Sequence, residues 1–299
     1  MKKLTLLLLA LLYVTLTYAY TERDLLQKQA DINRLKEILV LDRQWVTYPD
    51  YNDRAGWDRF LGTFKDEYIR RGEKRLNYQW QVVKATDYLA FERTGNRQIM
   101  EKPFGANNGA IADLLMAELA EGKGRFVDQL INGVFNACEM TSWALAAHII
   151  VQPSHRALPA YDYPVIDLTS GDLGGLLAWT YHFMRPSFDK VDPEISRRLR
   201  HELQTRILDP YMNNDSFWWM GRNYNGRMLN NWNPWCNSNA LMCFMLLEDN
   251  RDTLAKAVHL TMESVDKFLN YIKADGACEE GPSYWVVGRY YRRQSKYLQ

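Results

Sequence analysis

Residues 127–134 read VDQLINGV, and their apolar members recur at intervals of three and four. Because an α-helix turns once every 3.6 residues, this spacing places Val127, Leu130 and Val134 on one face of a helix. The same period recurs along the chain at 25–39, 57–68, 78–93, 108–120, 139–151, 171–184, 194–208, 236–248 and 252–272. Strict alternation of apolar and polar residues, which would indicate strands, is nearly absent. The sequence therefore predicts an all-α fold.

Prolines mark the predicted ends of these helices. Pro103 and Pro186 lie just outside periodic segments, whereas Pro193 suits the first turn of a helix. About ten helices with short connections predict hairpins stacked side by side, as in an α/α toroid or a solenoid. The longer polar stretches, 152–170 and 209–235, are predicted to be loops that face a ligand.

The first residues are typical of a secretory signal. Lys2 and Lys3 precede an apolar run at 4–14, and small residues near position 19 suit a signal peptidase. We therefore expect a signal peptide at 1–19 and an exported domain, periplasmic or secreted, at 20–299; an uncleaved N-terminal anchor is the alternative. The apolar run is shorter than a bilayer requires and no later segment is more apolar, so no membrane span is predicted.

Composition excludes several classes of protein. The 299 residues are 47% hydrophobic and 24% charged, which describes a globular chain, and a net charge of +1 argues against a nucleic-acid partner. The sequence holds no HExxH pair, no GxSxG motif and no phosphate-binding glycine loop. Four cysteines without metal-ligand spacing are predicted to be buried thiols with at most one disulfide: Cys138, Cys236, Cys243 and Cys278. Neither a metal site nor a cofactor is predicted.

The most unusual segment is 217–237, which reads FWWMGRNYNGRMLNNWNPWCN. It holds four tryptophans, six asparagines and two arginines. Aromatic rings offer flat apolar faces against which sugar rings stack, and amide and guanidinium groups bind hydroxyls and carboxylates. The segment therefore predicts a saccharide-binding loop. The alternative is a loop packed on the core, with its asparagines capping helix ends.

A second cluster follows at 275–285, which reads DGACEEGPSYW, with Arg289, Arg292 and Arg293 behind it. Neighbouring positive charge would lower the pKa of Tyr284 from its ordinary value of about 10, which suits proton transfer. The alternative is a turn followed by a buried aromatic pair and a solvated basic tail.

At these two clusters the chain resembles the heparinase II/III-like polysaccharide lyases and the related oligo-alginate lyases. The resemblance rests on NNWNPWCN at 230–237, SVDKFL at 264–269 and DGACEEGPSYW at 275–285, with weaker support at 138–143 and 172–181. It covers most of the chain that follows the signal peptide. It implies an α/α toroid that binds an acidic polysaccharide or oligosaccharide, such as a glycosaminoglycan or alginate, and cleaves it by β-elimination.

β-Elimination needs a base for the proton beside the uronate carboxylate, a group that neutralises that carboxylate, and an acid for the departing oxygen. The resemblance implies Tyr284 as the proton-transfer residue and Asn231 as the neutralising residue. The predicted substrate-binding residues are Asn230, Asn233, Trp232, Trp235, Glu139, Trp143, His148, Arg222 and Arg227. Glu139, Trp143 and His148 are predicted to share the helix at 139–151, with a core position as the alternative for His148.

The chain departs from the family in two ways. Members continue into a β-sandwich domain that can carry a metal, whereas this chain stops at Gln299, and residues 286–293 do not follow the family pattern. The resemblance therefore implies an incomplete toroid. A truncated product that turns sugar over poorly, or not at all, is one consequence.

Two other functions fit the same residues. A glycoside hydrolase on an α/α toroid would need two carboxylic acids flanking the bond, drawn from Glu279, Glu280, Asp172 and Glu139. A non-catalytic, exported sugar-binding protein would need only the aromatic and amide groups. It would bind an acidic oligosaccharide and form no product.

We predict that Tyr284→Phe abolishes elimination, because phenylalanine can neither accept nor donate the proton. A hydrolase with two carboxylates would keep most of its activity in the same variant. The measurement is the ultraviolet absorbance of the unsaturated uronate, which only elimination forms. Persistence of that absorbance in the variant would remove Tyr284 from the mechanism.

Overall fold

The computed structural model describes residues 22–222 and 228–272 of the chain. Its helices are α1 (Ile32–Ile38), α2 (Arg54–Leu61), α3 (Lys65–Glu73), α4 (Ala85–Thr94), α5 (Gln98–Glu121), α6 (Val127–Glu139), α7 (Ala146–Ile149), α8 (Leu168–Val191), α9 (Pro193–Leu203), α10 (Asp209–Asn213), α11 (Trp232–Leu247) and α12 (Arg251–Tyr271). These two ranges contain no strand. The predicted all-α class is therefore confirmed.

Three helix pairs with short connections organise the fold. Helix α5 packs on α6, α8 on α9, and α11 on α12, and α8 also packs closely on α11. A Cβ built on Gly171 would lie 3.3 Å from the Cβ of Asn239, and one built on Gly174 would lie 3.6 Å from the Cys243 Sγ. His148 contacts both Asp167, which caps α8, and Trp232, which opens α11, and Gly174 meets Cys243 further along, so α8 and α11 run in the same direction. Their N-terminal ends therefore lie at the same end of the molecule.

The predicted single helix at 139–151 is wrong. Helix α6 ends at Glu139, and the next helix, α7, begins only at Ala146. The Arg206 guanidinium donates to the carbonyl oxygens of Met140 at 2.6 Å and Thr141 at 3.0 Å. Since those carbonyls are bound by Arg206, from the π-helical segment Gln204–Leu208 that follows α9, the helix stops there, and Glu139, Trp143 and His148 do not share one helix.

Two prolines also depart from their predicted places. Pro103 lies inside α5 and Pro186 inside α8, whereas Pro193 opens α9 as expected. A proline inside a helix removes one backbone hydrogen bond. Around Pro103 the buried residues Met100 and Phe104 lie on both sides of it, so packing of the helix outweighs the local cost. The helix predicted at 78–93 begins later, at Ala85.

Three of the four cysteines are buried free thiols: Cys138, Cys236 and Cys243. Burial raises the pKa of Cys138 and of Cys243 to about 12. These thiols therefore stay protonated near neutral pH. The sequence prediction of buried thiols is confirmed for these three residues, and Cys278 lies outside the described residues.

No helix in the described ranges is both long enough and apolar enough to cross a bilayer. Residues 23–27 dock against α12. The buried Asp266 carboxylate accepts from the backbone N–H of Leu26 at 3.0 Å and of Gln27 at 2.9 Å. The Asn270 side chain accepts from the N–H of Arg23 at 2.9 Å. These bonds join the two ends of the described chain.

A fully buried carboxylate, Glu118, ties the start of α6 to α5. It accepts from the Tyr51 hydroxyl at 2.6 Å, the Gly124 N–H at 2.8 Å and the Phe126 N–H at 3.3 Å. Burial, followed by the bond to Glu118, raises the pKa of Tyr51 to about 12. The carboxylate therefore supplies the partner for two backbone donors in the turn between α5 and α6 and for the hydroxyl of Tyr51, which lies before α2.

We predict that Glu118→Ala lowers the free energy of unfolding by about 3 kcal/mol, because buried donors lose their acceptor. Urea unfolding followed by tryptophan fluorescence measures the change. Glu37→Ala is the matched control, since the exposed Glu37–Arg34 pair should contribute less than about 1 kcal/mol. Equal losses in both variants would contradict the role of Glu118.

Candidate functional site

The start of α8, the start of α11 and the short helix α7 meet at one surface. We call it the Trp232 surface, and it comprises Arg97, His148, Asp167, Asp172, Trp218, Trp232 and Trp235. The His148 and Trp232 rings lie 4.6 Å apart between centroids, edge to face, and Trp218 lies 5.4 Å from Trp232. Trp218 is 43% exposed. The surface thus joins an imidazole to two indoles, one of them open to solvent.

The imidazole of His148 is fixed by a buried carboxylate. Its Nδ1 lies 2.6 Å from the Asp167 Oδ2, and the Asp167 side chain is completely buried. Asp167 also accepts from the N–H of Leu145 at 3.1 Å and of Ser170 at 2.7 Å, and it caps the start of α8. Since the carboxylate can only accept, Nδ1 carries the proton. In the neutral ring Nε2 then carries a lone pair and can only accept a hydrogen bond.

A cation lies beside that lone pair. The Arg97 guanidinium donates to the His148 Nε2 at 3.4 Å and pairs with Glu101, and its side chain is 45% exposed. A guanidinium in this place can bind a carboxylate or sulfate in bidentate fashion. A ligand carboxylate held by Arg97 would lie next to the basic nitrogen of His148.

A second carboxylate, that of Asp172, lies in the first turns of α8, after the capping residue Asp167. The Asp172 Oδ1 accepts from the Trp235 Nε1 at 2.6 Å and from the Asn239 amide at 2.8 Å. Although Asp172 lies at the surface, the protein atoms that crowd its carboxylate raise its pKa, and these two hydrogen bonds oppose the rise. Asp172 is therefore held at a fixed position with part of its carboxyl group open to solvent.

Close packing of glycines brings these groups together. A Cβ on Gly175 would lie 3.0 Å from the Asn239 Oδ1, and one on Gly171 would lie 3.4 Å from its Nδ2. A methyl group at either position would crowd the Asn239 amide that binds Asp172. The glycines of α8 thus set the distance between Asp172 and α11.

The asparagines of the NNWNPWCN segment fall into two groups. Asn230 and Asn231 are partly exposed at the start of α11, where the Asn230 side chain accepts from the Trp232 N–H at 3.1 Å. Asn233 is completely buried, and its amide donates to the Trp219 carbonyl at 2.7 Å and to the Ser264 carbonyl at 2.9 Å. The prediction that Asn233 contacts a ligand is therefore corrected: it supports the segment from within.

Other predicted binding residues lie away from this surface. Trp143 is 2% exposed, donates to the Ala137 carbonyl at 2.9 Å and lies beneath the Arg206 guanidinium, at a pocket away from the Trp232 surface. Glu139 pairs with Arg198 at 3.4 Å. Arg222 pairs with Asp215 and lines a different pocket. Tyr284 and Arg227 lie outside the described residues.

Sequence reasoning missed Arg97 and Asp167 as partners of His148. The helix-capping pattern at 167–170 is a signal for Asp167 alone, because an aspartate before a helix and a serine three residues later bind each other's backbone. The 19-residue separation between His148 and Asp167 offers no local pattern. Their pairing follows from tertiary packing.

No protein-family model and no curated protein sequence matches this chain. Within residues 22–222 and 228–272, no group of three or more histidine, cysteine, aspartate or glutamate side chains is arranged to hold a metal ion.

We predict that Asp172→Asn stabilises the protein relative to wild type more at pH 7 than at about pH 3. The pKa of Asp172 is raised in the folded state, so ionisation costs stability above the ordinary aspartate value of about 3.9 and costs none below it. Urea unfolding at both pH values measures the difference. Trp235→Phe removes a hydrogen bond that lowers the pKa of Asp172. In that background, the stabilisation produced by Asp172→Asn should differ more between pH 7 and about pH 3; a smaller difference would contradict this account.

Proposed function

We propose that the chain binds a uronate-containing polysaccharide at the Trp232 surface and cleaves it by β-elimination. The observation that carries the proposal is the His148–Asp167 pair beside Trp232, with Arg97 next to the second imidazole nitrogen. This combination provides a positioned base, a cation for a carboxylate and aromatic faces for sugar rings. The resemblance of 230–237 to the lyase motif adds to it.

In this proposal the uronate carboxylate draws the Arg97 guanidinium away from the His148 Nε2, and Nε2 then removes the proton beside that carboxylate. Asp167 holds Nδ1–H and stabilises the imidazolium that forms, as a buried carboxylate does for a catalytic histidine. The carboxylate of the substrate gains charge as the proton leaves, and the Arg97 guanidinium neutralises it, together with Asn231 at the start of α11. Tyr284 remains the proposed acid for the departing glycosidic oxygen.

The tryptophans supply the sugar subsites. Trp218 is the most accessible ring, Trp232 lies between it and His148, and Trp235 follows one turn later on α11. A pyranose stacked on Trp218 would therefore place its neighbour near the imidazole. We also infer that the helix pairs form part of an α/α toroid, because α8 and α11 run parallel while each packs on its own hairpin partner.

Asp172 favours glycoside hydrolysis as a second candidate. A carboxylic acid with a raised pKa is the general acid that a hydrolase requires, and Asp172 lies against Trp235. Hydrolysis would use Asp172 directly and would leave no unsaturated product. Elimination would not require its proton.

The experiment incubates the purified chain with hyaluronan, chondroitin sulfate, heparin and alginate and follows both ultraviolet absorbance and new reducing ends. Elimination raises both signals. We predict that His148→Ala lowers the rate of elimination by a factor of about 10² to 10⁴. His201→Ala, which removes an exposed imidazole from α9, is the matched control and should leave the rate unchanged.

Asp167→Asn is the second variant, and circular dichroism must first show that it is folded, because Asp167 also caps α8. It should lower the rate by disturbing the His148 tautomer. New reducing ends without absorbance, lost in Asp172→Asn, would establish hydrolysis instead. Saccharide binding without either signal would leave a binding protein and end the catalytic proposal.

A further inference from the structure

A second pocket, separate from the Trp232 surface, opens along one face of α12. Its volume is about 550 Å³, within the range of ordinary ligand sites. Lys256, Leu260, Glu263 and Lys267 line it at helical intervals of three and four residues, and residues 220–222 form the facing wall. None of the residues that define the Trp232 surface lines this pocket.

The lining carries an excess of positive charge. Arg222, Lys256 and Lys267 are cations, and the described lining holds one carboxylate, Glu263, whose oxygen lies 3.7 Å from the His259 Nδ1. Neither lysine makes an ion pair or a hydrogen bond with any described residue. Like charges that share a pocket without partners repel one another, so an anion between them would be stabilising.

Arg222 is held at the edge of this pocket. Its guanidinium pairs with Asp215 and donates to the Tyr211 carbonyl at 3.0 Å, while its buried Nε has no hydrogen-bond partner among the described residues. Two of its bonds therefore fix the group, and one donor is left unused. The guanidinium therefore brings a fixed positive charge to the edge of the pocket.

The rest of the lining is apolar. Met212, Met220, Leu260 and Ile32 contribute sulfur and aliphatic surface. Gly221 has φ +68°, and a Cβ there would lie 3.2 Å from the Lys267 side chain. The glycine therefore lets residues 220–222 turn and approach α12 closely, which brings Met220 and Arg222 to the same pocket as Lys267.

We propose that this pocket binds an organic anion: a sulfate or carboxylate group between Lys256, Lys267 and Arg222, with a short apolar body against Met220 and Leu260. A bare inorganic anion would leave the apolar wall unused, and a neutral molecule would leave the cations without a partner. The proposal stands independently of the function proposed for the Trp232 surface.

The experiment titrates hexyl sulfate, sodium sulfate and hexanol into the full chain, with isothermal calorimetry as the readout. We expect hexyl sulfate to bind at least about tenfold more tightly than either of the other two, because only it uses both parts of the pocket. The double variant Lys256→Gln/Lys267→Gln should bind hexyl sulfate at least about tenfold more weakly than wild type. Lys190→Gln, an exposed lysine on α8, is the matched control and should bind as wild type does.

Leu260→Ala tests the apolar part of the pocket. It should weaken hexyl sulfate and leave sodium sulfate unchanged. His148→Ala should bind hexyl sulfate as wild type does, which separates this site from the Trp232 surface. Equal binding of hexyl sulfate by the double lysine variant and wild type, or equal binding of hexanol and hexyl sulfate, would overturn the proposal.

Discussion

The close contact between α8 and α11 is the constraint on which the candidate site depends. Gly171, Gly174 and Gly175 carry no side chains where α8 meets α11, so the backbones approach until Asn239 and Cys243 lie against these glycines. Both helices start at the same end of the contact. Asp167, Asp172, Trp232 and Trp235 therefore come together, although more than 60 residues separate the two helix starts.

Asp167 links the packing of α8 to the orientation of the His148 imidazole. One buried carboxylate caps α8, binds the N–H of Leu145 and orients His148. Because these three contacts fix the Asp167 carboxylate, the imidazole of His148 that it binds has little freedom to move. The Asn233 amide does comparable work behind Trp232, because it joins α11 to the carbonyl groups of Trp219 and Ser264. Buried hydrogen bonds thus hold the exposed groups of the Trp232 surface in place.

The fold class follows from the sequence because helical periodicity is a local property. The predictions that proved wrong failed because contacts between distant residues outweigh the local pattern. Residues 139–151 carry a helical pattern, yet Arg206, from the segment that follows α9, binds the carbonyls at the end of α6. Pro103 is a local breaker, yet the packing of α5 on both sides of it prevails. For the site, aromatic and amide composition pointed to 217–237, whereas the division between exposed Asn231 and buried Asn233 depends on which face of α11 meets α12. No local sequence pattern predicts the pairing of His148 with Asp167.

The docking of residues 23–27 on α12 bears on the order in which the chain is made. The bonds from Arg23 and Gln27 to Asn270 and Asp266 span 247 and 239 residues. At a synthesis rate of about 5–20 residues per second, the N-terminal segment waits roughly 12 to 50 seconds for its acceptors to leave the ribosome. Until then the backbone donors of Leu26 and Gln27 are exposed to water or to other chains. The docking of residues 23–27 on α12 is therefore a late step, even if the helix pairs form one by one during synthesis.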